Sequence, residues 1–555
     1  MNGVIGTETA ARGLWQSEKK SDVRTGNLKQ DFAAALYKAQ QRRWTERAKR
    51  LKQKVDLNGD GKISSEEWLQ QERLRMLEQL MKERKEAATE RGASVKKRPA
   101  GDRETVYRQL GDGSVLFVTT ELAPFSKVGG LGDVAGSLPK ALCQAGIDVR
   151  VVTPAWPGVL EKVAAAGIKT TAMSRPACAA YNWQVREAKV VRAEVDGVTV
   201  YFLSAEDYTG DMYPRQLDFW TVSPFAVFCM QALELHRATG WRPDLYHCHD
   251  WTTAFLPCAL AWHRHYRYAG ERSVLTLHNV EYQGVFDPHP FMEASGLEPW
   301  SFNLSALEFY GKVNLLKGGI VAATAVTTVS PTYAGEIQTH ESTRELADVL
   351  YQQRGKLRGI LNGIDTRYWN PEHDRALPAR FTARDLEGKQ ACRRELLRRT
   401  GFDVETEAPV VVCVSRLVEQ KGFNLILEAL DELPALGAKF VFLGSGQGWI
   451  EGALERAAAA HPDCIRFFKG YDEPLSHLLY AGGSIFLMPS VFEPCGLSQM
   501  IAMRYGTIPV VREVGGLRDT VTDADSPEGG DGFTFLTCDA KGMLWALRRA
   551  VGLLN

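Results

Sequence analysis

The segment KVGGLGDV (127–134) follows an apolar run and holds three glycines, one cation and one anion: Gly129, Gly130, Gly132, Lys127 and Asp133. Glycine-rich turns of this sort hold phosphates through backbone N–H groups, and two patterns are common. The triphosphate loop places Lys-Ser or Lys-Thr after its glycines, whereas Lys127 precedes them, and the dinucleotide pattern G-x-G-x-x-G does not fit this spacing. ATP hydrolysis by the first route is thereby set aside, and the segment reads as a flexible loop between a strand and a helix. Farther along stand other groups able to do chemistry: Asp250 in HCHDW, His278 in HNVEYQG, Arg416 and Lys421 in SRLVEQKG, and Glu493 in FEPCGLSQ. A guanidinium and an ammonium five residues apart can set a fork and a point charge on one diphosphate.

A different ion suits DLNGDGKISSEE (56–67). Asp56, Asn58 and Asp60 supply side-chain oxygens at loop positions one, three and five, Lys62 offers its carbonyl at seven, and Glu67 closes at twelve. Gly61 takes the sharp turn, Ser64 can hold a water, and Ile63 falls where two such loops pair. The whole resembles an EF-hand and implies one bound Ca2+. Residues 28–55 and 66–91, rich in Lys, Arg, Glu, Gln and Ala without Pro or Gly, read as exposed flanking helices. Ala48 and Lys52 stand where large apolar residues would cover a second hand, with Leu51 and Val55 compensating in part. The chain has no second loop of this kind, so either two chains pair their hands or the single hand binds weakly. Residues 93–112 read as a linker.

The elements that must position the other groups lie beyond that linker. Apolar runs at 114–121, 148–154, 198–204, 244–251 and 273–279 alternate with helical stretches such as GSLPKALCQAG. A second series begins at 409 and continues at 439, 465, 484 and 507. Continuous apolar strands separated by helices predict parallel sheets covered on both faces, here two doubly wound domains in tandem with a cleft between them. Ligands of such sheets bind beyond the carboxyl ends of the strands, where every polar motif named above falls. The chain's 555 residues allow two large domains plus an extension. Its 67 basic residues against 67 acidic ones argue against nucleic acid as partner. The ten scattered cysteines suit neither a disulfide framework nor a zinc site. No apolar run approaches membrane-spanning length, and MNGVIGTETAARGLW lacks the basic region and apolar core of a secretory signal.

ELAPFSKVGGLGDV, HCHDW, HNVEYQG, VNLLKGGI, TTVSPTYAGEI, ILNGID, SRLVEQKG, GYDE, FLMPSVFEPCGLSQM and VVREVGGLRDT occur in this order over about residues 114–550. Together they resemble the bacterial glycogen synthase and plant starch synthase family. The resemblance implies the two-domain GT-B fold and transfer of glucose, with retained configuration, from a nucleotide sugar to the non-reducing end of an α-1,4-glucan. ADP-glucose is the favoured donor and UDP-glucose the alternative, with no catalytic cofactor, and the location is cytoplasmic or plastid. The domains are then 1–110 (extension), 111–370 (synthase domain) and 371–555 (nucleotide-sugar domain). A further helix crossing back to the first domain is expected beyond RRAVGLLN.

The same resemblance implies roles. Glu493 lies beside the donor sugar, oriented by a helix start at 494–496, and favours oxocarbenium charge. His278 contacts the donor glucose near its C6 hydroxyl, and Asp133 and Asp250 face the sugar or acceptor. Arg416 and Lys421 hold the diphosphate, while Lys127, Gly129 and Gly130 approach from the opposite domain. Cys495, Gly496 and Leu497 join the donor side, Cys495 as a packed thiol and not a nucleophile. Val491, Glu281 and Val514 depart from the family pattern, and Val491 removes a charge near the site. A weak, calcium-responsive glucan-binding scaffold is the second reading. A disaccharide-forming GT-B enzyme is the third, disfavoured by HNVEYQG and FEPCGLSQ.

Overall fold

The computed structural model describes residues 113–554 apart from 268, 269 and 344. The expected Ca2+ loop, with Asp56, Asn58, Asp60, Lys62 and Glu67, lies outside the described residues.

The first half contains β1 (Ser114–Val118), β2 (Asp148–Pro154), β3 (Thr170–Ala172), β4 (Ala177–Tyr181), β5 (Gln184–Val195), β6 (Val198–Ser204), β7 (Leu245–His249) and β8 (Arg272–Leu277). A small antiparallel sheet of β9 (Val285–Phe286), β10 (Glu308–Phe309) and β11 (Lys312–Asn314) follows, then β12 (Ala325–Thr328) and β13 (Leu357–Gly359). The large sheet runs β13-β12-β8-β7-β1-β2-β6-β5-β3, with β4 paired to β5. From β13 to β6 it is parallel, and its central strands are buried on both faces, as in Leu116, Phe117 and Val118. It differs from the expected all-parallel sheet at one edge, where β5 runs antiparallel to β6, β3 and β4. β5 alternates exposed and buried residues, the pattern of a strand with one solvated face.

The second half holds β14 (Val410–Val414), β15 (Lys439–Gly444), β16 (Ile465–Lys469), β17 (Ile485–Met488), β18 (Ile508–Arg512) and β19 (Phe533–Phe535) in the order β16-β15-β14-β17-β18-β19, all parallel. Alternate residues feed two cores. Val411, Cys413, Phe440 and Phe442 pack towards the helix Ala540–Leu554, and Val410, Val412, Val441 and Leu443 towards the helices Glu387–Thr400 and Glu473–Gly482. The fold is thus α/β with two Rossmann-like parallel-sheet halves in tandem, the GT-B arrangement.

Strand order matters for function. In the first sheet the chain moves outward from β1 through β2 and β6, then returns to start the other side at β7; in the second it reverses between β14 and β17. Adjacent strands whose connections leave in opposite directions open a crevice at their carboxyl ends.

Candidate functional site

Loops from both sides of each reversal carry the polar groups. After β1, the buried carboxylate of Glu121 accepts hydrogen bonds on Oε2 from the N–H groups of Val128 (2.7 Å) and Gly129 (2.9 Å) and on Oε1 from the Tyr213 hydroxyl (2.5 Å). This ties down the chain just ahead of the helix Gly130–Gln144. The glycine segment is therefore not a flexible loop: helix begins at Gly130, six residues before the expected GSLPKALCQAG stretch, and Asp133 lies in its first turn. A Cβ on Gly132 would come within 3.0 Å of the Lys127 side chain and 3.1 Å of Glu121 Oε2, so that glycine permits close approach. Lys127 Nζ meets Asp133 Oδ1 at 2.7 Å. Burial raises the Asp133 pKa, with Lys127 opposing the shift.

Across the reversal, β7 ends at His249 and Asp250 follows with φ +54. That left-handed turn carries Asp250 Oδ1 to the N–H groups of His278 (2.6 Å) and Asn279 (3.3 Å) at the end of β8. Burial pushes the Asp250 carboxyl up to about 7, against the pull of those two donors, so its charge changes near neutrality. His249 Nδ1 lies 3.0 Å from His278 Nε2. Burial lowers both imidazoles, His278 to about 3, and keeps them neutral. His249 Nε2 is buried without a partner among the described residues. One of the two facing nitrogens, His249 Nδ1 and His278 Nε2, carries the proton and donates it to the other, so the two neutral rings orient each other.

In the second half, Lys421 ends a short 3-10 turn (Glu419–Lys421) after β14, and Glu493 follows β17. Gly422, with φ +75, admits this approach, since a Cβ there would lie 1.9 Å from the carbonyl oxygen of Pro489. Lys421 Nζ then sits 2.6 Å from Glu493 Oε2, and Ser490 Oγ donates to the same oxygen at 3.1 Å. Glu493 is 5% exposed, and no described residue hydrogen-bonds its Oε1. The expected helix start at 494–496 is displaced. Gly496 turns with φ +74, Gln499 Nε2 donates to the carbonyls of Cys495 (3.1 Å) and Gly496 (3.0 Å), and helix begins only at Ser498. Cys495 is buried, which pushes its thiol up to about 12, out of nucleophilic range. Arg416 is exposed beyond β14, its guanidinium without a hydrogen-bond or ion-pair partner among the described residues. Beside Val491, where a charge is missing from the family pattern, Arg512 Nη1 donates to the Val491 carbonyl at 2.5 Å and so brings a guanidinium from β18.

The two jaws meet. A Cβ on Gly130 would touch Leu497 Cδ1 at 3.7 Å, Thr332 N and Oγ1 donate to the two carboxylate oxygens of Asp519 (2.9 and 2.6 Å), and Gly515 N donates to Glu336 Oε1 (2.9 Å). The structure thus pairs Lys127 with Asp133, Asp250 with His278, and Lys421 with Glu493, and leaves the Arg416 guanidinium unpaired among the described residues. Glu121, Tyr213 and His249 are the groups that reading residue types did not single out. Glu121 and His249 lie inside ELAPFSK and HCHDW, which could have flagged them, while Tyr213 carries no local signal.

A family profile described as "Starch synthase catalytic domain" matches residues 114–352, and one described as "Glycosyl transferases group 1" matches residues 408–552. A glycogen synthase from Anaeromyxobacter sp. (strain Fw109-5) is 45% identical over 446 residues, 79% of this chain and 91% of that protein. One from Geobacillus thermodenitrificans (strain NG80-2) is 40% identical over 449 residues, 79% and 90% of the two chains. The solved catalytic domain of starch synthase IV from Arabidopsis thaliana, bound to ADP and acarbose, superposes with a TM-score of 0.74 at 36% identity, covering 80% of this chain and 92% of that one. With that identity over most of its length, the chain belongs to the glycogen/starch synthase family of glycosyltransferases.

Proposed function

We propose that the chain uses ADP-glucose to extend the non-reducing end of an α-1,4-glucan with retention of configuration, and that the cleft residues divide the work as follows. Lys421 and Arg416 neutralise the diphosphate as the glycosyl bond breaks. Glu493 keeps Oε1 for the donor sugar and for the positive charge that develops on it. His278 and Asp250 hold sugar hydroxyls, and Lys127, Gly129, Gly130 and Asp133 close over the donor from the other half, near Cys495, Gly496 and Leu497. One observation carries this reading: Lys421 and Ser490 both bond Oε2 of Glu493, fixing a buried carboxylate with its second oxygen available. The likeness to an ADP- and acarbose-bound relative supports an adenine nucleotide and a glucan.

The domain division is read as 111–370 and 371–555, though Trp369, which stacks on His477 of the second half at 4.5 Å, favours a boundary a few residues earlier. DLNGDGKISSEE is read as a Ca2+ site of the extension, available for self-association, and the setting as cytoplasm or plastid. No helix among the described residues is long and apolar enough to cross a membrane.

Primer elongation with both donors side by side tests the assignment. ADP-glucose should exceed UDP-glucose in kcat/KM by about tenfold or more. A preference for UDP-glucose overturns the donor, and failure with both overturns the reading.

A further inference from the structure

Tyr181 of β4 and Gln184 of β5 pair across a two-residue turn formed by Asn182 and Trp183, with φ of +50 and +60. The second position of such a turn is ordinarily glycine, and a bulky side chain there is strained. Trp183 is also 89% exposed, so no packing within the described residues offsets the strain. A strained, exposed indole without a packing reason is the kind of outlier that marks a ligand site.

The turn is tied down by Asn182 N donating to the Ala294 carbonyl at 2.9 Å, and it borders a cavity of about 660 Å³. That volume lies in the range of small-molecule sites, roughly 300–1,000 Å³. None of the cleft residues lines it, and β5 is three strands from β1, roughly 14 Å at the usual spacing. Its wall offers a second aromatic ring, Tyr266, held against the His263 imidazole at 4.7 Å. The ring of His263 fits only because residue 296 is glycine; a Cβ there would stand 2.3 Å from its Nε2. Burial keeps His263 neutral. Among the described residues, the charged side chains lining the cavity are Arg237, Arg264, Glu234 and Glu293, two against two, and Arg237 Nε is paired to Glu234 Oε2 at 2.6 Å. A balanced wall attracts neither a phosphate nor a cation. It suits an uncharged polyhydroxyl ligand whose ring faces lie on the indole and the phenol and whose hydroxyls reach the ion pair.

We propose that this cavity and Trp183 form a second glucan site, which holds an internal stretch of the polymer while its end is extended in the cleft. The proposal rests on the glucan synthase reading. Holding the chain at two points raises the effective concentration of acceptor ends, an advantage that a short acceptor cannot share.

Trp183→Gly puts the favoured residue into the turn, so its melting temperature should stay level or rise. Its affinity for glycogen, read by retardation in glycogen-containing native gels and by the KM for glycogen, should fall roughly fivefold or more. With maltotriose as acceptor, kcat/KM should stay within about twofold of the parent, because one short chain occupies only the cleft. Trp183→Phe, which keeps an aromatic face, should recover most of the glycogen affinity. Unchanged glycogen affinity in Trp183→Gly, or an equal loss with maltotriose, overturns the site. A parent chain that elongates neither acceptor would instead overturn the synthase reading beneath it.

Discussion

Lys421 and Glu493, 72 residues apart in sequence, each have a charge that the other holds in place. Their side chains are 16% and 6% exposed, so the pair is largely removed from water. Such a pair adds little net stability when intact, yet removing one member leaves an uncompensated buried charge that costs about 3–5 kcal/mol. Lys421→Ala is therefore expected to lower stability by about 3 kcal/mol as well as to raise the donor KM, and Glu493→Gln, which leaves the Lys421 ammonium without its counter-charge, to lower it somewhat less, since the ammonium is the more exposed member and an amide can still accept from Lys421 and Ser490. The double variant should recover a substantial part of the Lys421→Ala loss, a coupling of roughly 1–3 kcal/mol in chemical denaturation. In kinetics the order reverses. Glu493→Gln should lose about 10²-fold or more in kcat with donor affinity nearly kept, because its charge matters most once positive charge has developed on the sugar. Additive stabilities would dissolve the pair, and near-normal turnover of Glu493→Gln would remove its role.

At the scale of elements, the strands were legible and their neighbours were not. Buried apolar runs such as VVVCV and KFVFLG announce parallel strands, because a strand covered on both faces needs no polar residue. The antiparallel edge is not legible because β5 carries Arg186, Glu187, Lys189, Arg192 and Glu194, and its turn is Asn-Trp where Asn-Gly would signal a hairpin. The start of the helix Gly130–Gln144 was hidden by its glycines, which disfavour helix locally and are tolerated here because Glu121 secures the backbone ahead of them. Glycines also decide how the element after β18 meets the site. Gly515, with φ +43, places its Cα so that a Cβ would stand 1.9 Å from the Glu493 carbonyl oxygen, and Gly516 N donates to that same oxygen at 3.1 Å. Gly515→Ala must move the backbone of Glu493 and is expected to cost roughly 1–3 kcal/mol of stability and about tenfold to a hundredfold in kcat. Gly448→Ala, at a helix start where an added Cβ meets nothing within 4 Å, should change neither by much. Equal behaviour of the two variants would show that Glu493 is not held by the glycine pair.

Across the whole molecule, the candidate site was legible as a set of residue types and illegible as a set of pairs. Asp250, His278, Lys421 and Glu493 stand out as charged or titratable groups after apolar runs, but Asp250 reaches His278 only because β7 and β8 are neighbours, and Lys421 reaches Glu493 only because β14 lies beside β17. Adjacency of that kind is set by sheet order, which no local pattern encodes. The proposed Ca2+ loop is the reverse case: its candidate ligands fall within twelve consecutive positions, so Ca2+ binding can be tested directly on the full chain. Three carboxylates, Asp56, Asp60 and Glu67, with Asn58, are expected to bind one Ca2+ at roughly 10⁻⁷ to 10⁻⁴ M, toward the weak end if binding must also order the flanking helices. Calorimetric titration of the calcium-free chain should show one site per chain, and Glu67→Gln, which removes the bidentate carboxylate, should abolish the heat. Residues 93–112 read as a tether, so the elongation rate with ADP-glucose should be the same with Ca2+ and with chelator. A titration without heat would discard the site. A Ca2+-dependent kcat that disappears in Glu67→Gln would instead require the extension to act on the cleft, and the tether reading would have to go.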